Sequence, residues 1–110
     1  MAILKNLPTE EPKNLSSLLT PKQNQIVSMA LSDSEDFQLS VLTFADQETV
    51  SEEEYFGDTM YFVLEGETFV TLGEKSHLLK TGDVFKVNAH VLHAIGGKGK
   101  FKVMQLTVKE

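Results

Sequence analysis

The chain has 110 residues, no cysteine and a formal net charge of −6. That length fits one domain, large enough to bury roughly two-thirds of the surface its unfolded chain exposes and so to build one core unaided. Disulfides and thiolate metal sites are excluded, and the acidic balance argues against nucleic acid as a partner.

All ten basic residues are lysines. Without a guanidinium fork, a strongly anionic substrate is disfavoured, although lysine or backbone amides can still grip one. The charges are also segregated. Residues 33–74 carry acids and no lysine, and lysines dominate from Lys75 onward. Two readings are open: turns that differ in sign between the halves, or complementary patches that steer self-association or attract a cationic ligand.

Residues 1–25 read as a leader. Prolines at 8, 12 and 21 sit among Asn, Ser, Thr and Lys, leaving room for one helical turn near residues 14–19. Ile3 and Leu4 can add an edge strand. The apolar start is too short for a signal peptide, and no stretch approaches membrane-spanning length, so a cytoplasmic protein with no membrane partner is expected.

Residues 26–110 form the expected barrel domain. Strand signals cover residues 26–31 and 37–44, separated by an acidic turn at 32–36. Strands at 59–64 and 68–72 flank a turn at Glu65-Gly66-Glu67. Shorter strands follow at 77–79 and 84–87, then 93–95 and 101–108 around a Gly/Lys turn at 96–100. No segment keeps a 3.6-residue apolar period, so the class is all-β, a sandwich or barrel. Met60 to Leu64 is apolar on both faces. One face fills the barrel; the other needs cover from the leader or from a second subunit, and a homodimer is expected.

Three histidines carry most of the chemical potential. His77 reads as a surface side chain on a hairpin edge. His93 opens a strand and either lines a cavity or is a core histidine satisfied by a backbone carbonyl. His90, an odd number of residues away, faces the other side unless a turn intervenes. In the acidic run of VSEEEYFGDTMYFVLEG, Glu53 and Tyr55 share one face if extended, and Glu52 and Glu54 share the other. An inward Glu53 needs a metal, a cationic ligand, a histidine partner or a raised pKa. Glu52 and Glu54 are expected in solvent.

The sequence Tyr61-Phe62-Val63-Leu64-Glu65-Gly66-Glu67, with Thr81-Gly82-Asp83-Val84-Phe85 after it, resembles the two motifs of the cupins over roughly residues 37–108. The resemblance implies a double-stranded β-helix, or jelly-roll barrel. Gly82 and His93 match the second motif, which places His93 on the family's metal-binding histidine. Asn88, His90 and Gly97 replace its proline, glycine and asparagine. In the first motif the ligand positions fall on Glu53, Tyr55 and Thr59, or on Glu52 and Glu54 in place of the first two under a longer spacing.

One of the family's four usual ligands therefore survives. A divalent metal (Mn, Fe, Ni or Zn) would rest on His93 and Glu53, with His90 as a possible addition, whereas catalytic zinc sites usually keep three protein ligands. Without metal, Tyr55, Thr59, Tyr61, Val63, His93 and Ile95 are the expected wall of a small-molecule pocket. The competing expectation is a barrel filled by Phe69, Phe85 and Met104. The functional expectation is a small-molecule-binding barrel with a degenerate or absent metal site. Alternatives are a metal-dependent oxygenase, isomerase or lyase built on His93 and Glu53, or a metal-free proton transfer with His93 as base near Tyr55.

Overall fold

The computed structural model describes residues 3–109 as a rolled antiparallel β-structure preceded by the leader. Its strands are β1 (Ile26–Asp33), β2 (Phe37–Phe44), β3 (Thr49–Glu53), β4 (Gly57–Leu72), β5 (Lys75–Lys80), β6 (Val84–Val87), β7 (His93–Gly96) and β8 (Phe101–Lys109). The ladder runs β1-β2-β8-β4-β7-β3, with β5 and β6 also pairing with β4. Among the described residues no helix is long and apolar enough to cross a membrane.

β2 and β6 coincide with the strands read from sequence; β3 carries no strand signal apart from Val50 and is visible only through its pairing with β7. One expected turn is corrected. Glu65-Gly66-Glu67 does not reverse the chain but lies within β4, a single strand of 16 residues. The first half of β4 pairs with β8 and β6, the second half with β5 and β7. A bulge between Val63 and Glu65 marks the crossing, and bulges bend strands and increase their twist. Gly66 sits there at φ +79, and a Cβ would stand 2.7 Å from the Lys100 carbonyl oxygen, so a side chain is refused on both counts.

The bulge also decides what fills the interior. Before it the buried residues of β4 are Gly57, Thr59, Tyr61 and Val63; after it they are Thr68 and Val70. One inserted residue has moved the inward set from odd to even numbers. Phe69 is thereby turned out, with the Lys98 ammonium 5.8 Å from its ring, so it is not a barrel filler. Met104 is corrected too, because it packs in a second cluster with Leu19, Leu31 and Val41. Phe85 does pack on the interior cluster of Phe44, Tyr61, Val63, Val70, Leu79, Val87, Ile95, Phe101 and Val103. Phe44 and Phe101 stack there at 4.4 Å, where the uninterrupted β2–β8 ladder ends.

The leader covers part of the outer face. A 3-10 turn at Leu15–Leu18 is capped by Asn14, whose side chain accepts from the Ser16 N–H at 3.0 Å. Leu7, Leu15 and Leu19 then lie against Val41, Leu64 and Met104. The Lys102 ammonium pins this segment by donating to the Ser16 and Leu19 carbonyl oxygens. Near the start, the Lys5 N–H donates to the Leu31 carbonyl oxygen while Ile3 and Leu4 stay exposed.

Candidate functional site

His93 is positioned by two constraints. β7 pairs with β3 and with the second half of β4, and the carbonyl oxygen of Val91, two residues before His93, accepts a hydrogen bond from the His93 ring. The ring is buried. Because a carbonyl oxygen can only accept, the 2.9 Å contact between Nδ1 and the Val91 oxygen places the proton of the neutral imidazole on Nδ1. Nε2 is then an acceptor, and it receives the Tyr61 hydroxyl at 2.8 Å. Both ring nitrogens are therefore engaged, as expected for a satisfied core histidine.

Tyr61 arrives from β4, opposite Phe85 of β6 and Gln105 of β8, and its side chain is only 1 % exposed. Burial pushes its phenol well above the ordinary range, and Tyr55 and Glu53 add to the rise. Tyr55 is half-buried, and its ring stands edge-on to His93 with the centroids 5.9 Å apart. A polar file thus runs from the buried Tyr61 hydroxyl through His93 to the Val91 carbonyl, with the half-buried Tyr55 ring beside it.

Thr59, Val63 and Ile95 are buried in the interior, as their alternation required. Thr59 spends its hydroxyl on that of Thr107, 2.9 Å away. Glu53 stands opposite His93 in the β3–β7 ladder, after a bulge with Glu52 at φ 57, yet its side chain is exposed, as are Glu52 and Glu54. Its charge reaches the site only as a field acting on Tyr61. His90 lies in the exposed turn at φ 67, its ring edge-on to Phe56 at 6.0 Å, and does not join His93. His77 is exposed, tilted against Phe85.

Asp58 is a residue that the sequence did not single out. Its carboxylate accepts from the Ala89 N–H at 2.9 Å and pairs with Lys86 at 3.3 Å, and these, the amide first, hold its pKa below the usual carboxylate range. The turn carrying His90 is tied down by this bond and by the His90 N–H donating to the Tyr55 carbonyl oxygen at 2.9 Å. An aspartate directly after a glycine, at the start of β4, was the one available signal.

The cupin motifs imply a divalent metal, and the residues present do not fit one. The lone pair of Nε2 is used by Tyr61, Thr59 is paired with Thr107, and Glu53 is directed to solvent. Among the described residues, no group of three or more His, Asp or Glu side chains converges to hold an ion. Clefts open elsewhere. One of about 780 Å³, lined by Pro21, Asn24, Asp46 and Lys100, opens at the opposite end of the β3–β7 pair.

A family model for the cupin domain matches residues 41–109. The structure superposes on that of a cupin superfamily protein from Desulfitobacterium hafniense with a TM-score of 0.94 and 50 % identity, covering 97 % of this chain and 98 % of that one. A conserved protein of unknown function from Streptococcus pyogenes gives a TM-score of 0.93 at 20 % identity over 100 % of this chain and 96 % of that one. A cupin 2 conserved barrel domain protein from Leptotrichia buccalis gives 0.85 at 24 % identity, covering 88 % of this chain and 47 % of that one; these last two likenesses are of fold alone. No curated protein matches the chain.

Proposed function

The chain belongs to the cupin domain family, and on that premise we propose that it is a small-molecule-binding barrel whose ligand engages Tyr55 beside the Tyr61–His93 pair. The observation that carries this reading is the file itself. The Tyr61–His93–Val91 file is locked, while the Tyr55 ring beside it belongs to a half-buried residue. A mainly apolar wall with a few fixed polar groups is the usual make-up of a small-molecule site. With Glu53 beside the mouth and no arginine in the chain, a neutral or cationic ligand suits it better than a strongly anionic one.

Proton transfer, with His93 as base near Tyr55, is a second reading favoured by the Nε2 acceptor that the Nδ1–Val91 bond leaves unprotonated. A thermal-shift screen against metabolites tests the first. A ligand at a hundred times its dissociation constant should add about 2.7 kcal/mol, and Tyr55→Phe should weaken that ligand about tenfold. A panel without a shift, or a ligand indifferent to Tyr55→Phe, refutes the proposal.

We also propose a homodimer, formed through the part of the outer face that the leader leaves open. Met60, Leu106, Val84 and Val108 surround a depression of about 430 Å³ there, and Val84 and Val108 are 58 % and 50 % exposed. The Asp58–Lys86 ion pair sits on its edge and offers both signs of charge to a second copy. Light scattering should give twice the chain mass, and Val84→Lys should halve it. A monomer at micromolar concentration refutes the interface. The absence of cysteine suits a cytoplasmic setting for such a dimer.

A further inference from the structure

We infer that Tyr61 is the residue that withholds His93 from metal ions, so that the imidazole serves this barrel as a hydrogen-bond acceptor instead of a ligand. A metal can bind a neutral imidazole only through the nitrogen that carries no proton. Here that nitrogen is Nε2, because Nδ1 donates to the Val91 carbonyl oxygen at 2.9 Å. The Tyr61 hydroxyl lies 2.8 Å from Nε2, along the direction an ion would take. For an ion to enter, the hydroxyl would have to give up its acceptor inside the core, at a side chain 1 % exposed. The ring cannot swing away cheaply, because it belongs to the same packed cluster as Val63, Val87 and Val103.

Nothing nearby compensates for that loss. Thr59 and Thr107, the next polar groups in the interior, satisfy each other at 2.9 Å. Glu53 is exposed, and among the described residues no third carboxylate or imidazole completes a set. The interior is thus a closed file of neutral donors and acceptors. The inference concerns the ion alone and stands whether or not a small molecule binds at the mouth.

The test uses the full chain, free of any affinity tag, stripped with a chelator and then dialysed against zinc, manganese, nickel or iron(II). Wild type should retain less than about a tenth of an equivalent of each, by elemental analysis. Tyr61→Phe, which keeps the ring and removes the hydroxyl, should bind zinc at least tenfold more tightly than wild type. Adding His93→Ala should abolish the gain. Near-stoichiometric metal in wild type that disappears in His93→Ala overturns the inference, and so does a Tyr61→Phe protein whose zinc affinity matches wild type. A measurement on wild type alone guards against a poorly folded variant. Long-range proton–nitrogen correlation spectra should show His93 protonated at Nδ1 and unchanged by added zinc, and a zinc-dependent shift of Nε2 would sink the idea.

Discussion

Tyr61→Phe removes one oxygen atom from the barrel interior and leaves the Nε2 acceptor of His93 with no donor at 4 % exposure. An orphaned buried polar group costs about 1–3 kcal/mol. The mirror substitution, His93→Leu, orphans the Tyr61 hydroxyl and also the Val91 carbonyl oxygen, and should cost more. In the double variant neither member of the pair survives to be orphaned, and only the Val91 oxygen remains, as it does in His93→Leu. The double variant should therefore be more stable than the sum of the singles predicts, by at least about 1 kcal/mol. Urea titration with a common m-value measures this, and each kcal/mol should move Tm by roughly 4 °C in a chain of this size. Losses that add to within about 0.5 kcal/mol would mean the two groups are not energetically coupled, and the hydrogen-bonded file would fail as a description of the site.

Alkaline pH should act through the same phenol. Its folded pKa is raised, so the stability it confers is complete below about pH 10 and declines above it, as the unfolded chain ionises first, at about 1.4 kcal/mol per pH unit. Tyr61→Phe should lose that slope while keeping the lysine contribution common to both proteins; identical slopes between pH 10.5 and 11.5 would refute the assignment. Lys102→Met should release the leader by removing the donor to Ser16 and Leu19, costing about 1.5–3 kcal/mol. Limited proteolysis should then cut within residues 8–25 while the barrel stays intact, and an uncut leader would deny the lysine this role. Gly57→Ala should cost about 3 kcal/mol in a urea melt, because its Cβ would lie 1.9 Å from the Val108 carbonyl oxygen and force β4 from β8. Gly99→Ala, which meets nothing within 4 Å, should stay within about 0.5 kcal/mol as a control, and equal losses at both positions would refute the steric account.

The strand pattern was legible where alternation is long and turns are chemically explicit. Residues 37–44 lie between an Asp/Ser turn and the Ala45-Asp46 exit, and β2 has those bounds. Legibility failed at bulges. Nothing in Leu64-Glu65-Gly66 says that the chain continues with inverted parity, and a Gly between acids reads as a reverse turn. The misplacement of Phe69 follows from that single residue. The site shows the same contrast. Parity put Thr59, Tyr61, Val63 and Ile95 on one inner surface with His93, and they are buried together. That Tyr61 would meet His93 was not legible, because the contact depends on the relative heights of β4 and β7 across the barrel, which pairing sets and composition does not. Glu53 illustrates the remaining gap. Its register opposite His93 follows from the ladder, yet an edge strand with a bulge lets the carboxylate lean into water.

A single strand runs through both arms of the rolled sheet. The halves of β4 are covalently one piece, so the two arms cannot part like the shells of a clam without tearing the ladders on either side of the bulge. Opening the barrel must therefore break pairings of β4 itself, so its amides on the two sides of the bulge should exchange with solvent together, and separate exchange of the two halves would contradict this.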